Sequence, residues 1–366
     1  MNKKVTKGAF QMKKGLCVFL SVVMLLSLCL TGYAADPNEV PALKAKFKDG
    51  VGPAVDGLTV DYVYYEPQTT PGAKLPLVIY FHGAGQGAQP RAQIEENNFP
   101  LWASDEIQQR FTGGGAFLFV PRSHEEKGEF WSDKYVASAK AAIDDFISQH
   151  LSEIDLTRIY VGGFSMGGKM TMKMASSYPG FFAAAFPLCP AYEPSSEQLE
   201  AISGLPVWLI VSRFDIIAGY YTFSQKIWNE LCDKTKVPAD CRLTLFGRVK
   251  YPDGKKNTPS NHFVWFALAN DLFTYDGGPY PNAVTTDATG RTIELRSPEG
   301  VVSWLCRYTS AYAGEEQTPT DALSGNPDKG YEIVGKMMKA LFPLAADAIK
   351  TFFGDVWARI TGLFAK

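Results

Sequence analysis

The chain has 366 residues, 46% hydrophobic and 20% charged, so it can bury a large core and is neither disordered nor collagen-like. The formal charge of −2 hides an asymmetry: residues 1–34 hold five lysines and no acid, leaving 31 basic against 38 acidic residues, or −7. An acidic chain with no basic stripe offers no electrostatic footprint for nucleic acid, and no nucleic-acid partner is expected.

Lys3, Lys4, Lys7, Lys13 and Lys14, the apolar run 16–30 and the small residues around Ala34 have the order of an export signal, with cleavage after Ala34. The run is shorter than the roughly 20 residues of a spanning helix, so an uncleaved anchor is the weaker reading. A secreted or cell-envelope location follows as an expectation. In an oxidising compartment Cys232 and Cys241, with eight residues of polar turn between them, can close a disulfide, whereas Cys189 lies in an apolar run and reads as a buried free thiol. No C-x-x-C or H-x-x-x-H spacing occurs, so no metal site is expected.

Residues 58–65 have the β-branched and aromatic content of a strand, and 67–74 read as a turn. Residues 75–81 form a continuous apolar strand ending in the glycine-rich loop His82-Gly83-Ala84-Gly85-Gln86-Gly87, where backbone N–H groups can approach a ligand. A short apolar strand at 116–120 ends at Pro121. Residues 132–150 have helical periodicity, with Val136, Ala139, Ile143, Phe146 and His150 on one face and Ser132 or Asp133 as N-cap. Then come the strand 158–162, the turn Gly163-Phe164-Ser165-Met166-Gly167 and a helix from Gly168. Glycines two residues either side of a serine permit the sharp strand-to-helix turn that presents its hydroxyl at a helix N-terminus, where the dipole favours developing negative charge. Further apolar strands follow at 183–188, 206–212 and 242–246. Continuous apolar strands alternating with amphipathic helices imply an α/β fold, a mostly parallel sheet covered on both faces.

A serine hydroxyl needs a base and an acceptor to orient that base. Of four histidines, His150 sits on a helix face, His124 in a polar loop and His82 in the glycine loop, which leaves His262, beyond the last apolar strand. Asp215 follows a buried strand midway between Ser165 and His262, the position expected of the acid; its rivals Asp233 and Asp240 flank cysteines in a polar turn.

These segments, from Pro76 through the elbow around Ser165 to His262, resemble the α/β-hydrolase superfamily. Within it they are most similar to secreted esterases of the polyhydroxybutyrate depolymerase and feruloyl esterase type and their predicted-peptidase relatives. The resemblance implies Ser165 as nucleophile, His262 as base and Asp215 as acid, an oxyanion hole from the N–H groups of Met166 and Ala84, and no cofactor. Substrate contacts are expected from His82, Phe164 and Trp131. Two departures stand out: Arg213-Phe214 before the acid, and a long insertion at 271–300.

The implied activity is hydrolysis of small or polymeric carboxylic esters, with a serine peptidase of the same fold or a non-catalytic envelope binding protein as alternatives. The expected organisation is a signal peptide at 1–34, an α/β-hydrolase catalytic domain at 35–308, a linker at 309–330 and an amphipathic helical tail at 331–366. The tail's apolar stripe and charge of +2 fit either a membrane surface or the catalytic domain.

Overall fold

The computed structural model describes residues 39–320 apart from 69, 96–98, 125–130, 233–239, 251–256, 259, 270, 272–281 and 297–298. The expected signal peptide, part of the insertion and the tail lie outside the described residues. Among the described residues no helix is long and apolar enough to cross a membrane.

Ten strands form one sheet: β1 Lys48–Val51, β2 Asp61–Tyr65, β3 Leu75–Phe81, β4 Phe117–Pro121, β5 Ile154–Phe164, β6 Ala184–Leu188, β7 Trp208–Ser212, β8 Arg242–Phe246, β9 Ala283–Asp287 and β10 Thr292–Ile293. Their order is β1-β2-β4-β3-β5-β6-β7-β8-β9-β10. The six strands from β4 to β8 in that order are parallel, and an antiparallel pair flanks them on each side. Strands β3, β4, β6 and β7 are buried at every residue, as strands covered on both faces must be.

Between β6 and β7 the ladder lacks a rung. Ala185 N–H donates to Pro206 and Cys189 N–H to Ile210, but the donor position between them is Pro187, which has no N–H.

Helix α1, Lys134–Gln149, matches the expected span and buries Val136, Ala139, Ile143 and Phe146. His150 caps its C-terminus, with its ring 4.5 Å from Phe146 and 5.3 Å from Phe117. Helix α2, Met166–Ser177, packs on β3, β5 and β6 and is buried along its whole length. It nonetheless carries Lys173, whose ammonium is paired with Asp133 and lies 5.5 Å from the Tyr192 ring.

The insertion supplies β9 and β10, which extend the sheet beyond β8. Asp271 at its start is fully buried, pairs with Arg110 at 3.1 Å and accepts the Val302 N–H at 2.8 Å at the head of helix α3, Val301–Leu305. Residues 309–320, expected to begin a linker, lie along the domain. Ser310 N–H donates to Thr157 O, the Tyr312 ring stands 4.6 Å from Phe181, and Thr320 donates to Ser177 and Ser176 carbonyls. The chain therefore stays on the domain past residue 308 at least to Thr320, because Ser310 and Thr320 find their acceptors on it.

The expected Cys232–Cys241 disulfide is corrected: both are free thiols. Cys241 is buried at the foot of β8 with Sγ 3.9 Å from Leu205 O, and Cys232 caps the helix Gln225–Leu231, so local packing engages each residue separately.

Burial pushes the Asp271 carboxyl up to about 6, from an ordinary 3.8, against the pull of Arg110. A raised folded value favours the fold fully below the unfolded pKa, and that contribution is lost as pH rises through the folded one. The stability of Asp271→Asn relative to the parent protein should therefore improve by about 2 kcal/mol between about pH 4 and pH 7. Urea melts of both proteins across that range check this.

Candidate active site

The elbow is built from close backbone contacts. Ser165 has φ 58° and ψ −112°, outside the regions ordinary residues favour, between the last residue of β5 and the first of α2. A Cβ on Gly163 would lie 2.5 Å from Gly167 O, and one on Gly167 would lie 1.9 Å from Phe81 O. Glycine at both positions is thus a condition of α2 approaching β3. Ser165 N–H donates to Leu188 O at 2.8 Å, which fixes the turn to β6.

Asp215 and His262 meet across the carboxyl edge of the sheet, after β7 and β8. His262 Nδ1 is 2.6 Å from Asp215 Oδ2, and both side chains are buried. Asp215 Oδ1 accepts the N–H groups of Ile217 at 2.8 Å and Ala218 at 2.9 Å. With the carboxylate fixed on both oxygens, the imidazole keeps its proton on Nδ1 and leaves Nε2 as the acceptor. That Nε2 is buried and has no hydrogen-bond partner, Ser165 included, among the described residues. Catalytic hydrogen bonds are commonly long before substrate arrives. Phe164, the residue before the serine, packs on the histidine: its ring is 4.7 Å from that of His262.

Met166, as the first residue of α2, has an N–H with no intrahelical acceptor. In the glycine loop, Gly83 N–H is taken by Gln86 Oε1 at 2.9 Å, which leaves Ala84 as the next donor. Gln86 closes this turn, a role for which the sequence offers no signal beyond a polar residue amid glycines.

The expected substrate contacts at His82 and Trp131 are corrected. Both are fully buried. His82 Nδ1 donates to Gly83 O at 2.7 Å, its Nε2 accepts Ser123 N–H at 3.1 Å, and Trp131 Nε1 donates to His82 O at 3.0 Å. Burial lowers the His82 pKa to about 4, so this ring is neutral and braces the loop. Phe164 is 5% exposed and packs against the His262 ring instead of lining an open cleft. His124 binds Asp61, which also pairs with Arg122 at 2.6 Å. Asp240, the rival acid, accepts from Tyr308 and pairs with Arg242 at 3.6 Å; Asp233 lies outside the described residues.

Cys189, directly after β6, is a buried free thiol as expected, but its place beside the acid was not legible. Its sulfur, an Asp215 oxygen and a His262 ring nitrogen lie within 4.8 Å of one another. Burial, then the charge of Asp215, hold this thiol well above its ordinary pKa, so it stays protonated. Those three atoms form one set with metal-ligating chemistry. Glu66, His150 and Glu153 form another, in which Glu66 is already paired with Lys48.

No protein-family model matches the chain, and no curated protein does. Among solved structures, a thermostable esterase superposes over 73% of this chain and 64% of its own, with a TM-score of 0.55 and 19% identity. The fold is that of the α/β-hydrolases. Two others that superpose more loosely are Est1E from Butyrivibrio proteoclasticus (TM-score 0.42, 15% identity, 60% of this chain and 94% of that one) and the Pyrococcus horikoshii acylaminoacyl peptidase (0.42, 16%, 61% and 40%). This chain spans just under two thirds of the thermostable esterase's length. The elbow follows the third strand of the parallel set in chain order, and the loops that carry Asp215 and His262 follow β7 and β8.

Because Gly167 abuts backbone, which cannot swing aside, Gly167→Ala should cost about 3 kcal/mol or more. Gly204, where an added Cβ would meet nothing within 4 Å, is the control, and Gly204→Ala should change stability by less than about 0.5 kcal/mol. Chemical denaturation of both variants measures the difference.

Proposed function

We propose that this chain is a secreted serine hydrolase that cleaves carboxylic esters through Ser165, His262 and Asp215 and an acyl-enzyme intermediate. The observation that carries the reading is the 2.6 Å Asp215–His262 pair, with an unpartnered Nε2, its imidazole packed on Phe164, the residue before a serine held at φ 58°.

Ser165 Oγ attacks the ester carbonyl while His262 Nε2 takes its proton. The imidazolium that forms is stabilised by Asp215, whose orientation the Ile217 and Ala218 N–H groups hold. The N–H groups of Met166 and Ala84 receive the oxyanion, aided by the N-terminal end of the α2 dipole. His262 then returns the proton to the leaving alcohol, and water, deprotonated by the same nitrogen, releases the acid. Export by residues 1–34 and contact of residues 331–366 with a membrane surface belong to the same reading and rest on the sequence pattern.

Purified protein should hydrolyse para-nitrophenyl esters and be labelled by a fluorophosphonate probe. Ser165→Ala should abolish labelling and lower kcat by about three orders of magnitude or more. Asp215→Asn should lower kcat by about 10³–10⁴-fold with the fold intact by circular dichroism, since the acid sets the tautomer. Turnover of peptide amides and not of esters would replace the esterase reading with a peptidase one.

A further inference from the structure

The carboxyl edge of the sheet bears, around the acid and base loops, charged side chains for which the hydrolytic steps have no use. Arg213 and Phe214 separate the end of β7 from Asp215, and Arg248 and Lys250 follow β8. All four are exposed. The Arg248 turn is tied to the base loop: Val249 N–H donates to Asn261 Oδ1 at 3.2 Å, and Thr258 N–H donates to Val249 O at 2.7 Å. The Arg248 guanidinium stands 5.1 Å from the centre of the Phe214 ring, which fixes its place above an apolar surface. Phe214 is 48% exposed and Ile216, on the other side of the acid, 59%.

These arginines differ from the rest. Every other described arginine, from Arg91 to Arg307, has a carboxylate within 4.0 Å. Neither Arg213 nor Arg248 has one among the described residues, and nor does Lys250. Three cations without counter-charges among the described residues, on two adjacent loops of a net acidic chain, make a local positive field that concentrates anions there. The place has a chemical meaning. His262 returns its proton to the leaving oxygen, so the leaving alcohol lies on the His262 side of Ser165, where the loops after β7 and β8 converge.

We propose that this rim binds a negatively charged leaving group: the substrate is an ester whose alcohol carries a carboxylate or similar acidic group beside an apolar or aromatic part. Phe214 and Ile216 meet the apolar part, and Arg213, Arg248 and Lys250 meet the anion. The inference rests on the esterase reading above and adds the class of alcohol.

Two esters of the same shape and acyl group, para-acetoxybenzoate and para-acetoxybenzamide, separate charge from fit. At about 20 mM salt the anionic ester should have a kcat/KM about tenfold higher, mostly through KM, and the preference should shrink towards parity near 0.5 M salt, where exposed charges are screened. In Arg213→Gln and Arg248→Gln the ratio between the two esters should fall towards one. A ratio near one in the parent protein at low salt, or a preference that neither salt nor these substitutions reduce, overturns the proposal. Failure to hydrolyse either ester or para-nitrophenyl acetate overturns the esterase reading and this inference with it, an outcome distinct from hydrolysis without charge preference.

Discussion

Ser165 keeps φ 58° and ψ −112° because its surroundings leave the chain no wider turn: α2 starts one residue later, against the backbone of Phe81 and His82. Holding a non-glycine residue there costs about 1–3 kcal/mol. The cost is offset by the Leu188 carbonyl, which takes the Ser165 N–H, by the Lys169 N–H bond to Ser165 O, and by the burial of all of α2. The strain is also what gives the site its form. It keeps the serine clear of the sheet, points the Met166 N–H out of the helix start, and places Phe164 where its ring meets the base.

Two buried histidines lie near this turn, and their environments divide their roles. His82 is desolvated with both nitrogens committed to the backbone, so it is neutral and serves as a strut under the glycine loop. His262 has one nitrogen committed to a carboxylate and the other uncommitted. Asp215 tolerates its burial because two backbone N–H groups and the imidazole satisfy its oxygens, which is the condition under which a charge can be kept out of water. The protonated Cys189 thiol beside it adds no second charge.

The parallel strands were legible because strands covered on both faces are written as unbroken apolar runs, and 75–81 and 206–212 could be read directly. The meeting of Asp215 with His262 was legible because Asp215 directly follows an apolar strand and His262 lies beyond the last parallel one. What escaped the sequence depended on distant neighbours. Nothing near Cys189 in the chain announces Asp215, and nothing near Gly83 announces that Gln86 takes its N–H. His82 and Trp131 read as substrate contacts by position, yet each hydrogen bonds to backbone brought in from elsewhere. The cysteine pair misled because closeness in sequence says only that two thiols can meet, while in the fold Cys241 is buried beside Leu205 O and both thiols are free. The linker composition of 309–320 likewise gave no hint that its donors have carbonyl partners on Thr157, Ser176 and Ser177.

The hairpin inserted after Asp271 bears on how the molecule behaves in company. Without it β8 would end the sheet, offering five residues of unpaired backbone to any extended chain. With it, the margin among the described residues is the two-residue β10, flanked by Arg291, Glu294 and Arg296. The opposite margin, β1, is four residues long and begins with Lys48 and Asp49. Both rims are short and charged, which is poor ground for edge-to-edge growth of the sheet. Copies crowded together at high local concentration would thus resist stacking with one another through the backbone.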